Sequence, residues 1–369
     1  MKRLINIEQV VKYKNIAILQ PEVPHYRTEF FRRLDEWCLG MDIYVYNSID
    51  DAKEQGFKID NVRLNNICNI QFKDFLWYNP FAFLGSKYDT LVLMWHFAHI
   101  TTWLLLLTKF LHHKKIVLWG QGISVKRYLK EEKHPNILLK WMLALADGAW
   151  VYMEKEAIQW RKIFPKKLIV SLNNSISGAE DMVIYEPKSS KEELKLQYGI
   201  KEKIVLLFCA RFTNPYRRVD LLVDVIEKMN KDMFGFVIIG EGCYKPDFSK
   251  YENVYDFGAV YDNVIKRDLF SLSDLYFQPG WVGLSIVEAM AYGKPICTFK
   301  RSEDVLQCVE YSYIGNGVNG MIFKSIDDCI EKLGAVSDED IVLMGTNARR
   351  LVKDKLTISM MAENAISIL

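Results

Sequence analysis

The 369-residue sequence has little that would tie it to an oxidising compartment, a bilayer or a polyanion. Its seven cysteines are an odd number scattered over positions 38, 68, 209, 243, 297, 308 and 329, without a Cys-x-x-Cys pair. That pattern argues against a disulfide framework and a zinc ribbon, and fits a reducing, cytoplasmic setting. No apolar run approaches the roughly 20 residues of a spanning helix. The run that bears most on a membrane is 103–107, extended by Phe110 and Leu111. The segment 1–15 is basic, but no long apolar run or small-residue cleavage site follows, so no secretory signal is expected. Charge of one sign is lacking too: 48 basic against 46 acidic residues leave a net charge of +2. Long-range attraction to nucleic acid is therefore weak and no nucleic-acid partner is expected; any anionic surface must be met by a local patch. Solenoid-period repeats and low-complexity tracts are also missing.

What is present is material for packed cores: half the residues are hydrophobic, 13% aromatic and a quarter charged. The length suggests two domains. Short β-branched and aromatic runs recur at 15–19, 42–46, 90–95, 115–119, 149–152 and 168–172, with helix-like stretches between several of them. A second series follows at 204–209, 236–239, 254–257, 275–278, 296–299 and 321–323. Between them, 175–199 loosens into polar, Pro-containing sequence, where the domain linker is expected. The alternation predicts an α/β protein of two doubly wound, Rossmann-like domains facing a deep cleft. The expected boundaries are 1–180 and 181–355, with a C-terminal helix over 356–369 packing back on the first domain and limiting hinge motion.

The most informative stretch is QPGWVGLSIVEAMAYGKPI, residues 278–296. It reads as a strand end, a glycine-containing loop, a helix from about Leu284, and a stop at Gly293 before Pro295. Gly280 and Gly283 let backbone approach a ligand, and the helix start at Leu284 and Ser285 favours an anion such as phosphate. Glu288, one turn in, is placed to accept hydrogen bonds from two ribose hydroxyls. The plainer alternative is that Glu288 complements the helix dipole and the glycines only make a turn. A second signal follows the strand 204–209: Arg211, Arg217 and Arg218 sit where a strand ends and an amphipathic helix begins, and guanidinium groups there can clamp a diphosphate. A solvated basic loop is the alternative. Gly240-Glu241-Gly242 and Phe257-Gly258-Ala259-Val260 put two more loops at carboxyl ends of the same expected sheet.

The ordered set A-R-F…R-R-V-D-L-L, V-I-I-G-E-G, N-V-Y-D-F-G-A-V and G-L-S-I-V-E-A-M-A-Y-G-K-P-I resembles the donor half of family 4 retaining glycosyltransferases of the GT-B fold, over about 203–323. The first half is similar only in outline. The resemblance implies that Arg211 contacts the donor diphosphate and that Arg217 takes over the same task from a lysine; these are the expected catalytic groups. It implies that Glu288 binds donor ribose, that Leu284 and Ser285 touch the phosphates, and that Gly258, Ala259 and Val260 lie beside the base. The first glutamate of the family's Glu-x7-Glu motif falls at Gly280, so its carboxylate is absent, and Arg218 stands where the family commonly has glycine. Both departures bear on donor identity.

In the first half, Gln20 to Arg27 forms a loop between strand and helix, with Thr28 expected as the helix N-cap. Here His25 can titrate near neutral pH, Tyr26 can stack on a sugar and Arg27 can hold an acceptor phosphate; an ordinary surface loop is the alternative. Gln121, between Gly120 and Gly122, stands near the position of a histidine in many relatives. Glutamine cannot act as a base, which leaves a hydrogen bond to the donor sugar. His96 and His99 follow another strand end and either line the acceptor side or pack. The apolar stretch 103–111, followed by His112-His113-Lys114-Lys115, reads as a core helix or as a segment resting on a membrane surface, in which case the acceptor is lipid-linked. Asp338 and Asp340 have the spacing of a metal-holding Asp-x-Asp pair, but Ser337 makes them a helix cap, so no metal site is expected.

The expected activity is transfer of a hexosyl unit from a nucleotide-diphospho-sugar to a saccharide hydroxyl without metal or cofactor, in bacterial surface-polysaccharide synthesis by resemblance. The expected place is the cytoplasm or the inner face of the cell membrane. Two rivals share the nucleotide site: a nucleotide-sugar 2-epimerase of the same fold, and a scaffold that binds donor without turnover.

Overall fold

The computed structural model describes residues 14–47 and 64–369. The basic start of the chain lies outside the described residues except for Lys14 and Asn15. The chain divides into two compact units, one comprising Met1–Ser177 with Ile358–Leu369, the other Gly178–Thr357.

The first unit is built on β1 (Asn15–Gln20), β2 (Gly40–Val45), β3 (Leu64–Asn66), β6 (Thr90–Met94), β7 (Lys115–Gly120), β8 (Gly148–Val151) and β9 (Leu168–Ser171). All pair in parallel, in the order β3-β2-β1-β6-β7-β8-β9. Parallel strands covered on both faces must be apolar throughout, and Ile16, Ala17, Ile18 and Leu19 are all buried. Their side chains alternate between two cores: Ile16 and Ile18 pack with Phe30, Phe31 and Leu34 of the helix Thr28–Trp37, whereas Ala17 and Leu19 share the opposite core with Leu105 and Met142. The C-terminal helix Ile358–Ile366 lies in the first of these cores, burying Ile358, Met361, Ala365 and Ile366, and the Trp150 indole N–H donates to the Ala365 carbonyl at 3.1 Å.

The sequence reading did not separate strands between 47 and 89. The structure places β3 there, and also β4 (Asn69–Phe72) and β5 (Phe75–Tyr78), an antiparallel hairpin outside the main sheet. Thr28 does not cap its helix: its hydroxyl donates to the His25 carbonyl at 2.9 Å, and the cap position falls on Arg27, within a 3-10 turn His25–Arg27.

The second unit carries β10 (Ile204–Cys209), β11 (Phe234–Ile239), β12 (Val254–Asp256), β13 (Leu275–Phe277), β14 (Ile296–Phe299) and β15 (Gly320–Phe323), parallel in the order β12-β11-β10-β13-β14-β15. Helices Val219–Lys228 and Ile326–Ala335 bury Leu222, Val225, Cys329 and Leu333 against Leu206, Phe208, Phe236 and Ile238. In each sheet the strand order reverses once, between β1 and β6 in the first and between β10 and β13 in the second. At such a point neighbouring loops leave the strands' carboxyl ends in opposite directions and open a crevice. No helix among the described residues is long and apolar enough to cross a membrane.

Candidate functional site

The loops after β10 and β13 meet at the reversal point of the second sheet. Asn214 caps the 3-10 turn Pro215–Arg217, its side chain accepting from the Tyr216 N–H at 2.9 Å. The Gly280 N–H donates to the Arg217 carbonyl at 3.2 Å, and the Tyr216 and Trp281 rings stack with centroids 5.1 Å apart. A Cβ on Gly280 would lie 2.5 Å from the Tyr216 carbonyl oxygen, so no side chain fits there. The arginine loop thus occupies the space that a side chain at this position would need. Below, the Tyr276 hydroxyl donates to the Cys209 carbonyl at 2.8 Å, and Gln278 ties the loop together by donating to the carbonyls of Gly280 and Trp281 while accepting from the Ser285 hydroxyl at 2.9 Å.

The three arginines divide into two kinds. Arg218 adopts a left-handed backbone, φ 55°, which explains why glycine suits this position in the resembling family. Its guanidinium forks onto Asp220 at 2.6 to 3.0 Å and donates to the Asp304 carbonyl at 2.9 Å, so the side chain expected to bind donor is here tied to its own loop. Arg217 is the opposite case. Its Nε is buried without a hydrogen-bond partner among the described residues. Burial first, with the nearby Arg211 charge adding to it, draws its pKa below the ordinary guanidinium value, while Tyr276, Cys308 and Cys209 oppose the shift. The group stays charged, since arginine does not lose its proton in proteins. Arg211 is exposed at the end of β10 and makes no side-chain hydrogen bond among the described residues. Two cations are thereby brought together, one desolvated and neither paired with a carboxylate, an arrangement that an anion would relieve.

Arg211 owes its position to the loop after β11. The Phe212 N–H donates to the Glu241 carbonyl at 2.9 Å, and Gly240 and Gly242 run so close beneath that a Cβ would lie 2.1 Å from the Ala210 carbonyl oxygen and 2.4 Å from the Phe212 carbonyl carbon. The Gly258 carbonyl accepts from the Gly240 N–H at 2.7 Å, bringing 258–260 to the same sheet edge, where Ala259 is exposed and Val260 half-buried.

The helix after the Gly283 loop spans Ser285–Ala291, one residue later than the sequence suggested, with Leu284 as its N-cap. Among the described residues the N–H groups of Gly283, Leu284 and Ser285 have no protein acceptor. Glu288 is largely buried, and both its oxygens accept from the Lys266 ammonium, at 2.7 and 2.8 Å. Burial alone would lower the Lys266 pKa, but the Glu288 carboxylate and, behind it, Cys209 hold it above the ordinary value. The sequence analysis missed Lys266, which lies 22 positions before its partner on the helix Asn263–Leu272. A carboxylate has about four acceptor sites, so one ammonium leaves capacity for further donors.

In the first unit, the candidates all fall on loops at the carboxyl edge of the sheet, but they are not alike. Arg27 is buried: it donates to Asn174 Oδ1 and to Met361 Sδ, and its guanidinium lies 5.2 Å from the Tyr152 ring centroid and 5.7 Å from that of Trp119. The group expected to hold an acceptor phosphate thus lies buried against the C-terminal helix. His25 is exposed and meets Tyr26 edge-on at 5.5 Å; the Tyr26 carbonyl accepts from Ser177. His96 is exposed, stacked on Phe97 at 5.2 Å and in contact with His99 at 5.1 Å. His99 is buried with Nδ1 unpartnered among the described residues, and burial, aided by His96, lowers its pKa to about 4. Gln121 is half-buried, makes no side-chain hydrogen bond among the described residues, and is presented on a turn whose Gly122 carbonyl accepts from Trp160 Nε1 at 2.9 Å. Asp338 and Asp340 open the helix Asp338–Lys355 in a capping box with Ser337; Asp338 pairs with Lys203 at 3.0 Å.

Residues 203–338 match the family model described as glycosyl transferases group 1. No curated protein matches the chain in sequence. Among solved structures, the chain is similar to Anabaena Alr3699/HepE in complex with UDP and glucose, at 13% identity and TM-score 0.61, covering 96% of this chain and 98% of that one. It is similar to the lipopolysaccharide outer core galactosyltransferase WaaB, at 13% identity and TM-score 0.63 over 96% and 98% of the two chains. It is also similar, at 11% identity and TM-score 0.57 over 95% and 94%, to a Listeria monocytogenes protein provisionally assigned as a UDP-N-acetylglucosamine 2-epimerase. The chain therefore has the GT-B fold, two Rossmann-like domains with parallel sheets, and its second unit carries the group 1 glycosyltransferase sequence pattern.

Proposed function

We propose that the chain is a metal-independent, retaining glycosyltransferase of the family 4 type that moves a hexosyl unit from a nucleotide-diphospho-sugar to a hydroxyl of a saccharide, in bacterial surface-polysaccharide synthesis at the cytoplasmic face of the cell membrane. The observation that carries this reading is the buried Nε of Arg217, unpartnered among the described residues, beside Arg211 at the reversal point of the second sheet. The likeness to a structure holding UDP and glucose supports a nucleotide-sugar donor.

In this reading the diphosphate lies against Arg211, Arg217 and the N–H groups of 283–285, Glu288 accepts from the ribose hydroxyls, and 258–260 flank the base. The bond between the anomeric carbon and the β-phosphate oxygen breaks, and the electron pair goes to that oxygen. Negative charge grows there, so fixed cations stabilise the transition state more than the ground state. The acceptor hydroxyl gives its proton to the departing phosphate on the same face while its oxygen bonds to the anomeric carbon. Glutamine at 121 fits this route, since it offers a hydrogen bond but no base. His25, Tyr26, His96 and Gln121 are the acceptor-side candidates of the first unit.

The test is kinetic. Arg211→Ala and Arg217→Ala are expected to lower kcat by about 10²- to 10³-fold, whereas Glu288→Ala mainly raises the donor KM. Wild-type kinetics in all three variants would refute the site. The epimerase-like neighbour supports a second reading of the same nucleotide site. Incubation with donor alone separates the two, because only an epimerase yields a new sugar signal by NMR without acceptor.

A further inference from the structure

The β4–β5 hairpin presents the wrong kind of face to water. Its register sets Ile70 opposite Trp77 and Phe72 opposite Phe75, so these four side chains share one face. On the other face Leu76 and Tyr78 of β5 are buried in the core, while their partners Asn69 and Gln71 on β4 are polar and exposed. A hairpin with one side packed is expected to be polar on the other. Here Ile70 is 74% exposed, Phe72 69%, Trp77 54% and Phe75 48%.

Neighbouring elements continue the pattern. Through Tyr78, β5 packs on the helix Ile100–Leu107, its hydroxyl and N–H bonding Thr102 and Thr101 at 2.8 and 2.9 Å. That helix and the short helix Lys109–His112 after it leave Leu104, Leu107, Phe110 and Leu111 exposed, and three of these lie at i, i+3 and i+7. The adjoining helix Ile137–Leu145 exposes Ile137 and Trp141. Apolar patches of this extent mark an interaction surface.

Charge identifies the partner. Residues 100–115 hold three lysines and two histidines without an acidic residue; Lys109 pairs with Asp147 and Lys114 is buried against the Gly85 and Tyr88 carbonyls, so the free charge of the surface comes from its other lysines. Lys73 on the hairpin turn, and Lys130, Lys133 and Lys140 around the third helix, form no ion pair among the described residues. Aromatic and aliphatic side chains flanked by unpaired lysines suit the boundary between acyl chains and anionic headgroups. We infer that this surface docks the first unit on an anionic lipid bilayer, with the hairpin face entering the interface.

The hairpin also borders the acceptor side of the sheet. The Leu76 N–H donates to the Ala98 carbonyl at 3.0 Å, and Asp74 acts electrostatically on His96. A lipid-linked saccharide would approach the His96 loop from that bilayer. This last link rests on the transfer reading above; the docking does not, and nucleotide binding in the second unit is measured separately.

The experiment is co-sedimentation of the full chain with phosphatidylcholine vesicles with or without 30 mol% phosphatidylglycerol, about the charge density of an anionic leaflet. Wild type is expected to pellet with the anionic vesicles. Phe72→Ser with Trp77→Ser should cut that binding at least ~10-fold. Lys130→Gln with Lys133→Gln and Lys140→Gln should weaken it and flatten its salt dependence. Because the replaced side chains are exposed, the melting temperature and nucleotide affinity should stay at wild-type values. The inference is overturned by wild type remaining in the supernatant with both vesicles, or by variants that bind as wild type does. It is equally overturned by a wild-type dimer in equilibrium sedimentation that the Phe72/Trp77 variant dissolves, since the face would then belong to a second copy.

Discussion

Adjacent arginines in one loop do different work because their backbones differ. Arg218 sits at φ 55° and turns its guanidinium onto Asp220, while Arg217, one residue earlier, keeps a buried Nε with no acceptor among the described residues. Sequence reading took both as donor ligands from their place at a strand end and, for Arg217, from the family resemblance; neither the left-handed backbone nor the Asp220 fork can be read from residue type. The burial of Arg27 was illegible in the same way: its partners Asn174 and Met361 stand 147 and 334 positions away. His99 supplies a residue-scale prediction. Its folded pKa of about 4 lies below the ordinary 6.5 because burial disfavours the charged ring. The unfolded chain therefore binds the extra proton between these values, so stability is full above pH 6.5 and falls as pH drops toward 4, by about 2 to 3 kcal/mol. Urea unfolding from pH 7 to 4 should show this slope in wild type and a shallower one in His99→Gln.

At the scale of elements, the parallel strands were the most legible part, because burial on both faces writes an unbroken apolar run. Strands 204–209 and 296–299 were read to the residue. The β4–β5 hairpin was not legible, since β4 alternates over only four residues, with its apolar side facing out, and β5 is apolar on both faces. The glycine loop before Ser285 was read as a ligand-approach loop, and the structure adds that Gly280 packs against the arginine turn. Gly280→Ala should therefore strain both loops, since its Cβ would meet the Tyr216 oxygen at 2.5 Å. A loss of roughly 1 to 3 kcal/mol is expected, read by chemical denaturation, together with weaker donor binding as the Arg217 turn shifts. An unchanged midpoint would show that the loops accommodate a side chain.

For the whole molecule, the chain forms its second unit from one continuous segment and its first from two, closing with Ile358–Leu369. That return buries Ile358, Met361, Ile366 and Leu369 in the core of the first unit, and the Arg27 guanidinium meets Met361 there. Each buried large aliphatic side chain contributes about 1.5 to 3 kcal/mol, so the helix accounts for a sum comparable with the roughly 5 to 15 kcal/mol that hold a domain folded. Truncation after Thr357 should abolish the calorimetric transition of the first unit and leave nucleotide binding by the second intact. A retained first transition would show that the helix is dispensable.

The central claim is that Arg211 and Arg217 hold the leaving diphosphate, and a crystal structure with a bound nucleoside diphosphate tests it most directly. A panel ranked by thermal shift selects the base, because a ligand that binds the folded state raises the melting temperature with its saturation. The account predicts diphosphate oxygens within about 3 Å of Arg217 Nε and of the Arg211 guanidinium, with the ribose hydroxyls on Glu288. A diphosphate bound elsewhere, or one that leaves Arg217 Nε without an acceptor, would contradict it.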